Sequence, residues 1–304
     1  MLLNEFDISV IIPAVRFDKY LVEAIQSVSV EDSLRTEIVV VLNNFEKSES
    51  AKLRNLIHNH EIPIVVLELP GSPSLGESID FGIKNSRAPL IARLDSDDIA
   101  EPQRLKLQKE ILDSDPDCSV VGSQLKFIDK DGKKLNRSSS YPRFIAQGSV
   151  FYNSPLAHPS VMFRRTQYFD AGGYSSIRGF CEDFDLWSRF IRLGHFRNLE
   201  SALTQYRLHE HQASVAGRLG QLECRVRSFI CNHSQMEYAE IPTDLLLIKS
   251  INHLPILAWS NLALTYIMEF PAPPHSKIIR TLYLLVGAIY SFVMFRIQVV
   301  RLKD

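Results

Sequence analysis

The chain has 304 residues, a formal net charge of -1, 45% apolar and 23% charged residues. That is enough for one large domain, or one domain and a smaller appendage, with a real core. It supplies no global field that would recruit nucleic acid, so no nucleic-acid partner is expected and any attraction for anions must be local. Four cysteines (Cys118, Cys181, Cys224 and Cys231) form no C-x-x-C pair and show no zinc-ligand spacing, which reads as reduced, mostly core-filling thiols of a cytosolic protein. The opening MLLNEFD carries acids and no basic stretch, so a cleaved secretion signal is not expected.

The first hundred residues alternate between two patterns. ISVIIPA (8–14), TEIVVVL (36–42), IPIVVLEL (62–69) and PLIARLD (89–95) are short, continuous apolar runs and read as buried strands. Between them Tyr20, Leu21, Ala24, Ile25 and Val28 recur at helical spacing, a charged and partly helical stretch follows, and GESIDFGIKNS is a third helix. Strands alternating with helices predict a parallel sheet covered on both faces, with ligands beyond the carboxyl ends of the strands. Further on, CSVVGSQLKFIDKDGKKL has strand-like runs around Asp131-Gly132, a hairpin signal. LAHPSVMFRR is a short strand. EDFDLWSRFIRLG is a helix with an apolar face of Phe184, Leu186, Trp187, Phe190 and Ile191, stopped near Gly194. YRLHEHQAS, without period, is expected as loop. From about Gly217 helical patterns dominate, with two uncharged stretches at 254–268 and 281–295.

Three clusters carry chemistry. Asp95, Ser96, Asp97 and Asp98 place hard oxygens side by side, which suits Mg²⁺ or Mn²⁺ with positions left for phosphate oxygens; the competing reading is an acidic turn capping a helix that begins near Pro102. Glu182, Asp183 and Asp185 open a helix. A carboxylate there can take the proton of an attacking hydroxyl, or simply favour the helix start. His209 and His211 sit in the loop, and His158 lies at the end of a strand; an imidazole is a common metal ligand, but a loop or strand-end histidine is more often solvated or structural.

Taken in order, SVIIP, LGESIDFGIKNSRAPLIARLDSDDIAEPQRLKLQ, VVGSQLKFIDKDG, HPSVMFRR, GGYSSIRGFCEDFDLWSRFIRLGHFRNL and YRLHEHQAS resemble the family 2 glycosyltransferases of GT-A fold, and within them the bacterial branch that builds capsule, exopolysaccharide or O-antigen. The resemblance implies a Rossmann-like, mostly parallel sheet with helices on both faces. It implies a glycosyltransferase domain over 1–216, with a nucleotide-sugar half to about 115 and an acceptor half from about 116, and leaves 217–304 as a helical extension. It implies an inverting, metal-dependent transfer of a hexosyl-type group from a nucleotide-diphosphate sugar to a hydroxyl of a saccharide or lipid-linked saccharide. Asp183 is then the base; Asp97, with Asp95 and His209, holds Mg²⁺ or Mn²⁺; Pro13, Asn43, Asn44, Arg93, Asp95, Ser96, Asp97 and Arg207 form the nucleotide-sugar side; His158, Glu182 and Trp187 form the acceptor side.

The chain departs from that family where an Asp-Asp-Gly-Ser is usual after the second strand and VVVLNNFEKSES stands here. Asn43 and Asn44 keep hydrogen-bonding capacity but lose charge. Asn43 could still meet the imide N–H of uracil or thymine. A catalytically weak, sugar-nucleotide-binding scaffold of a polysaccharide assembly complex is the alternative these departures raise. A nucleotidyltransferase, dinucleotide binder or P-loop is argued against by the lack of any glycine before Gly71. The two uncharged C-terminal stretches are each shorter than the roughly 20 residues a membrane span needs. They read as packed helices, as a homodimer contact, or, with Arg296, Arg301 and Lys303, as peripheral contact with the inner face of the bacterial cytoplasmic membrane.

Overall fold

The structure is a computed structural model, and it describes residues 5–28, 34–148, 154–174 and 182–210. The chain divides into two units, Met1–Arg218 and Leu219–Asp304. The second lies outside the described residues, and with it the expected C-terminal helices, Cys224 and Cys231. His211 and Cys181 also fall outside.

The first unit begins with the expected alternation: β1 (Ile8–Ala14), α1 (Lys19–Ser27), β2 (Thr36–Asn43), α2 (Lys47–Ile57), β3 (Ile64–Leu69), α3 (Leu75–Lys84) and β4 (Leu90–Arg93). Caps written in the sequence start two of the helices. The Asp18 carboxylate accepts the Tyr20 and Leu21 N–H groups at 3.0 and 3.1 Å, and Ser74 and Glu77 close a reciprocal capping box on α3. Then come β5 (Ile99–Ala100), α4 (Arg104–Ser114), β6 (Cys118–Ile128), β7 (Lys134–Ser138), β8 (Phe144–Ile145), a 3₁₀ turn (His158–Ser160), β9 (Met162–Arg164), α5 (Arg165–Asp170), α6 (Glu182–Phe190) and β10 (His195–Arg207).

The ten strands among the described residues join one sheet, ordered β3-β2-β1-β4-β9-β6-β10-β5, with β7 on β6 and β8 on β10. The pairs β3–β2, β2–β1, β1–β4 and β6–β10 are parallel, while β9 runs against both β4 and β6. Strand order reverses between β1 and β4, so the switch point, where open α/β sheets bind ligands, lies at their carboxyl ends. The ladder between them stops at Ile11 and Arg93. Pro13, which lacks an N–H, falls just past that stop and costs the β4 side no bond. Apolar layers cover both faces. One holds Ile8, Val10, Ile12, Ile38 and Val40 with Leu21 and Ile25; the other holds Ile11, Val39, Val41, Ile79, Ile83, Trp187 and Phe190.

Two local expectations need correction. The aspartate cluster does not cap α4. β5 intervenes, pairing antiparallel with β10, and α4 starts at Arg104 after Gln103 in a left-handed conformation with no side-chain cap. The segment YRLHEHQAS is not all loop: Tyr206 and Arg207 end β10, a 13-residue strand. Its register against β6 shifts three times, which erases the alternation that would have marked it as a strand.

Candidate active site

β4 delivers its carboxyl end into a tight turn. The Asp98 N–H donates to the Asp95 carbonyl at 3.2 Å, folding Asp95, Ser96, Asp97 and Asp98 back on themselves beside the switch point. Carboxylate oxygens of Asp95, Asp97 and Asp98 lie within 4.8 Å of one another. Three carboxyl groups so close need cations or protons, and three buried arginines, Arg93, Arg104 and Arg207, adjoin their turn, each 1% exposed. Arg93 pairs with Asp95 at 2.5 and 3.2 Å. Arg104 donates to the Arg93 carbonyl at 2.6 Å and to Gln108 at 3.1 Å; burial pulls its pKa down to about 9, against the opposing charge of Asp98. Arg207 donates from Nε to the Asp97 carbonyl at 2.8 Å, from its backbone N–H to Asp98 at 2.9 Å, and pairs with Glu23 at 2.6 Å, while its guanidinium lies 4.5 Å from the Tyr20 ring. Arg93 and Arg207, both expected on the nucleotide-sugar side, thus have their guanidinium groups engaged by the loop that carries the carboxylates.

His209 follows β10 and meets the same loop, its Nε2 lying 2.8 Å from Asp97 Oδ2. Tyr20 stacks on its ring at 5.5 Å. Asp97 and His209, two of the three residues expected to share a metal and far apart in sequence, are therefore brought together. Burial, then the charges of Asp95 and Asp97, hold the Asp98 carboxyl well above the usual carboxylate range, and burial also raises Asp95 against the opposing pull of Arg93. Asp98 Oδ2 is buried with no hydrogen-bond partner among the described residues. An all-carboxylate oxygen set with one orphaned oxygen, plus an imidazole at its rim, has the chemistry of a hard divalent cation site.

At the end of the neighbouring β2, Asn43 is buried and its side-chain oxygen also lacks a partner among the described residues. Asn44 follows in a left-handed conformation (φ 55°) and turns the chain away, its N–H donating to the Leu69 carbonyl at 3.1 Å.

The start of α6 forms the other wall. Glu182 lies against α3, where a Cβ on Gly76 would meet the Glu182 Cβ at 3.4 Å. Its Oε1 is 3.9 Å from His158 Nδ1. Burial, then the adjacent charge of Asp183, pushes the Glu182 carboxyl up to about 7. His158 Nε2 is 2.6 Å from the Tyr174 hydroxyl; burial, aided by the Arg93 charge, holds the imidazole well below its ordinary value and therefore neutral. Asp183 is half-buried and close enough to Tyr141 for its charge to help burial raise that hydroxyl. Trp187 is fully buried and meets this wall in an edge-on contact with His158 at 5.9 Å. Sequence reading missed the site roles of Arg104 and Tyr20. Arg104 looked like one more basic residue of a helix start, and only its burial marks it.

A mixed α/β sheet with a parallel first half, a D-x-D carboxylate turn at its switch point and a second acidic pair nearby defines an α/β domain of GT-A type. The chain belongs to Glycosyl transferase family 2, whose model matches residues 9–173. It is similar to the O-antigen biosynthesis glycosyltransferase WbnJ of Escherichia coli, 28% identical over 71% of this chain and 85% of that one. It is also similar to the amylovoran biosynthesis glycosyltransferase AmsE of Erwinia amylovora, 29% identical over 58% of this chain and 66% of that one. The fold is that of S. aureus TarS 1-349, solved in complex with UDP-GlcNAc, at a TM-score of 0.60 and 17% identity over 93% of this chain and 81% of that one. The protein is a glycosyltransferase.

Proposed function

We propose that the protein transfers a sugar, with inversion, from a nucleoside-diphosphate sugar to a hydroxyl of a saccharide or lipid-linked saccharide in bacterial surface-polysaccharide synthesis. The observation that carries this reading is the turn at the end of β4, where His209 meets Asp97 beside Asp95 and the orphaned Asp98 oxygen. Asp97, Asp95 and His209 would hold Mg²⁺ or Mn²⁺, with Asp98 behind them. When bound, the ion supplies positive charge that offsets what builds on the departing diphosphate. Asn43, through its free buried oxygen, accepts the imide N–H of a uracil or thymine base; the two named surface-polysaccharide relatives and the UDP-GlcNAc complex of the TarS fold neighbour support the same class of donor and product. Asp183 takes the proton of the acceptor hydroxyl as its oxygen attacks the anomeric carbon. Glu182, His158 and Tyr174 shape the acceptor side beside it.

The test is thermal unfolding with a panel of nucleoside diphosphates and their sugars, with and without Mn²⁺. A ligand at 100 times its Kd adds about 2.7 kcal/mol of stability. A manganese-dependent rise in midpoint with uridine or thymidine diphosphates is expected, and Asp97→Ala abolishes it. No rise with any nucleotide would turn the assignment toward the scaffold reading. The C-terminal stretches and basic residues support peripheral contact with the membrane that carries a lipid-linked acceptor. Among the described residues no helix is long and apolar enough to cross a membrane. Sedimentation of the full chain with anionic vesicles at low salt, absent with neutral ones, is the expected result; without it, packing or dimerisation accounts for those stretches.

A further inference from the structure

The opposite end of the sheet holds a second cluster. Asp115, Pro116, Asp117 and Cys118 form the turn between α4 and β6, closed by the Cys118 N–H donating to the Asp115 carbonyl at 3.1 Å. Asp115 and Cys118 are thereby set three residues apart across one turn, a separation that structural zinc sites use for paired cysteines and that is here shared by a carboxylate and a thiol. His195 opens β10 in register opposite Cys118. Its N–H donates to the Asp117 carbonyl at 3.1 Å, and its own carbonyl accepts from Ser119 Oγ at 3.2 Å. Gly194 permits this approach, since a Cβ there would stand 2.3 Å from the Asp117 carbonyl oxygen. The ligand atoms of Asp115, Cys118 and His195 all lie within 4.8 Å of one another, with His195 Nε2 at 3.0 Å from Asp115 Oδ2. Backbone hydrogen bonds from two strands and a turn therefore fix one sulfur, one nitrogen and one carboxylate around a common point.

We propose that Asp115, Cys118 and His195 bind a zinc ion that pins the entry of β6 to the entry of β10, apart from the hard-cation site at the end of β4. A thiolate and an imidazole select zinc over Mg²⁺ or Mn²⁺, which prefer all-oxygen sets. Binding replaces the Cys118 S–H bond by an S–Zn bond and releases that proton to solvent. It also replaces the His195–Asp115 hydrogen bond by a bond from each to the ion. Arg197, 3.4 Å from Asp115 Oδ2, remains as the outer partner that orients a ligating carboxylate. Asp115 and His195 are 24% and 16% exposed, which gives the ion a route in and leaves a fourth position to water. Burial pushes the metal-free Cys118 thiol up to about 12, and a divalent charge beside the sulfur reverses that penalty.

Cobalt titration of the reduced full chain tests this, because only a thiolate ligand gives a near-ultraviolet sulfur-to-cobalt band and the β4 site has no sulfur. The band is expected to saturate at one cobalt per chain and to bleach on adding zinc. It should vanish in Cys118→Ser, persist when Cys181, Cys224 and Cys231 are all serine, and require more than tenfold higher cobalt in His195→Gln, a partly exposed position where the near-isosteric amide keeps the packing. A folded wild-type protein without the band overturns the proposal. So does a band that survives Cys118→Ser or one insensitive to His195→Gln, either of which leaves an ordinary His–Asp pair above a core thiol.

Discussion

Asp183 and Glu182 are neighbours on one helix turn, yet their surroundings separate them. Asp183 is partly exposed beside Tyr141, while Glu182 is packed between α3 and His158. As the proposed base, Asp183 changed to Asn should lower kcat by about 10²- to 10⁴-fold with little effect on the nucleotide-dependent unfolding shift, since the donor side is untouched. Glu182 makes a different prediction. Its folded-state pKa of about 7 lies above the ordinary 4.5, so between those values the folded protein keeps a proton that the unfolded chain gives up. Stability therefore falls as pH rises through that window, and above it the folded state carries the whole penalty of a buried charge. Glu182→Gln removes the titration. Unfolding curves should show the variant gaining on wild type by on the order of 3 kcal/mol at pH 8, with the gain fading toward pH 4. A constant difference across that range would mean Glu182 is not held protonated.

At the scale of elements, α3 lies close on the sheet because Gly82 faces β1 and β2. A Cβ there would come 2.7 Å from Ile11 Cγ2 and 3.0 Å from Val41 Cγ2. Alanine would gain up to about 1 kcal/mol of helix propensity, but overpacking a filled core costs about 1–3 kcal/mol. Gly82→Ala should thus be a net loss in chemical denaturation. Because α3 also abuts Glu182 through Gly76, displacement of the helix should raise the acceptor KM more than the donor KM. Strand pairing likewise puts β5 where a helix cap was expected: its two residues pair with Gln205 and Thr204, and that pairing brings Arg207 and His209 into contact with the aspartate turn.

For the molecule as a whole, the two ends of the sheet have different roles. The carboxyl ends gather the titratable groups of the site. At the amino ends of β1 and β2, Glu37 is fully buried and accepts from Ser9 Oγ at 2.6 Å, the Arg87 N–H at 2.7 Å and Arg87 Nε at 3.0 Å, while the Ala88 N–H bonds Ser9 Oγ at 3.1 Å. This network ties three parallel strands together far from the chemistry. Arg87 is 45% exposed, so removing Glu37 strands no buried charge; it leaves the buried Ser9 hydroxyl without its acceptor, at about 1–3 kcal/mol. Glu37→Ala should lower the unfolding free energy by that amount in urea, while the folded fraction keeps its nucleotide-dependent shift. Loss of the shift would show that the two ends are coupled.

The alternation of β1 to β4 with α1 to α3 is legible along the chain, because buried parallel strands are continuous apolar runs and their helices carry their own caps and stripes. The D-x-D turn and the acidic start of α6 are legible too, because both are local strings. β10 is not, since its register shifts leave no period. Nor are the roles of Arg104, Tyr20, Asp115 and Cys118, whose meaning depends on what faces them. Charge balance around the aspartate turn, the meeting of His209 with Asp97 and the encounter of His195 with Cys118 all join residues far apart along the chain. Such pairs are settled by the assembled sheet, since strand order and register, rather than spacing in sequence, set which side chains share a point in space.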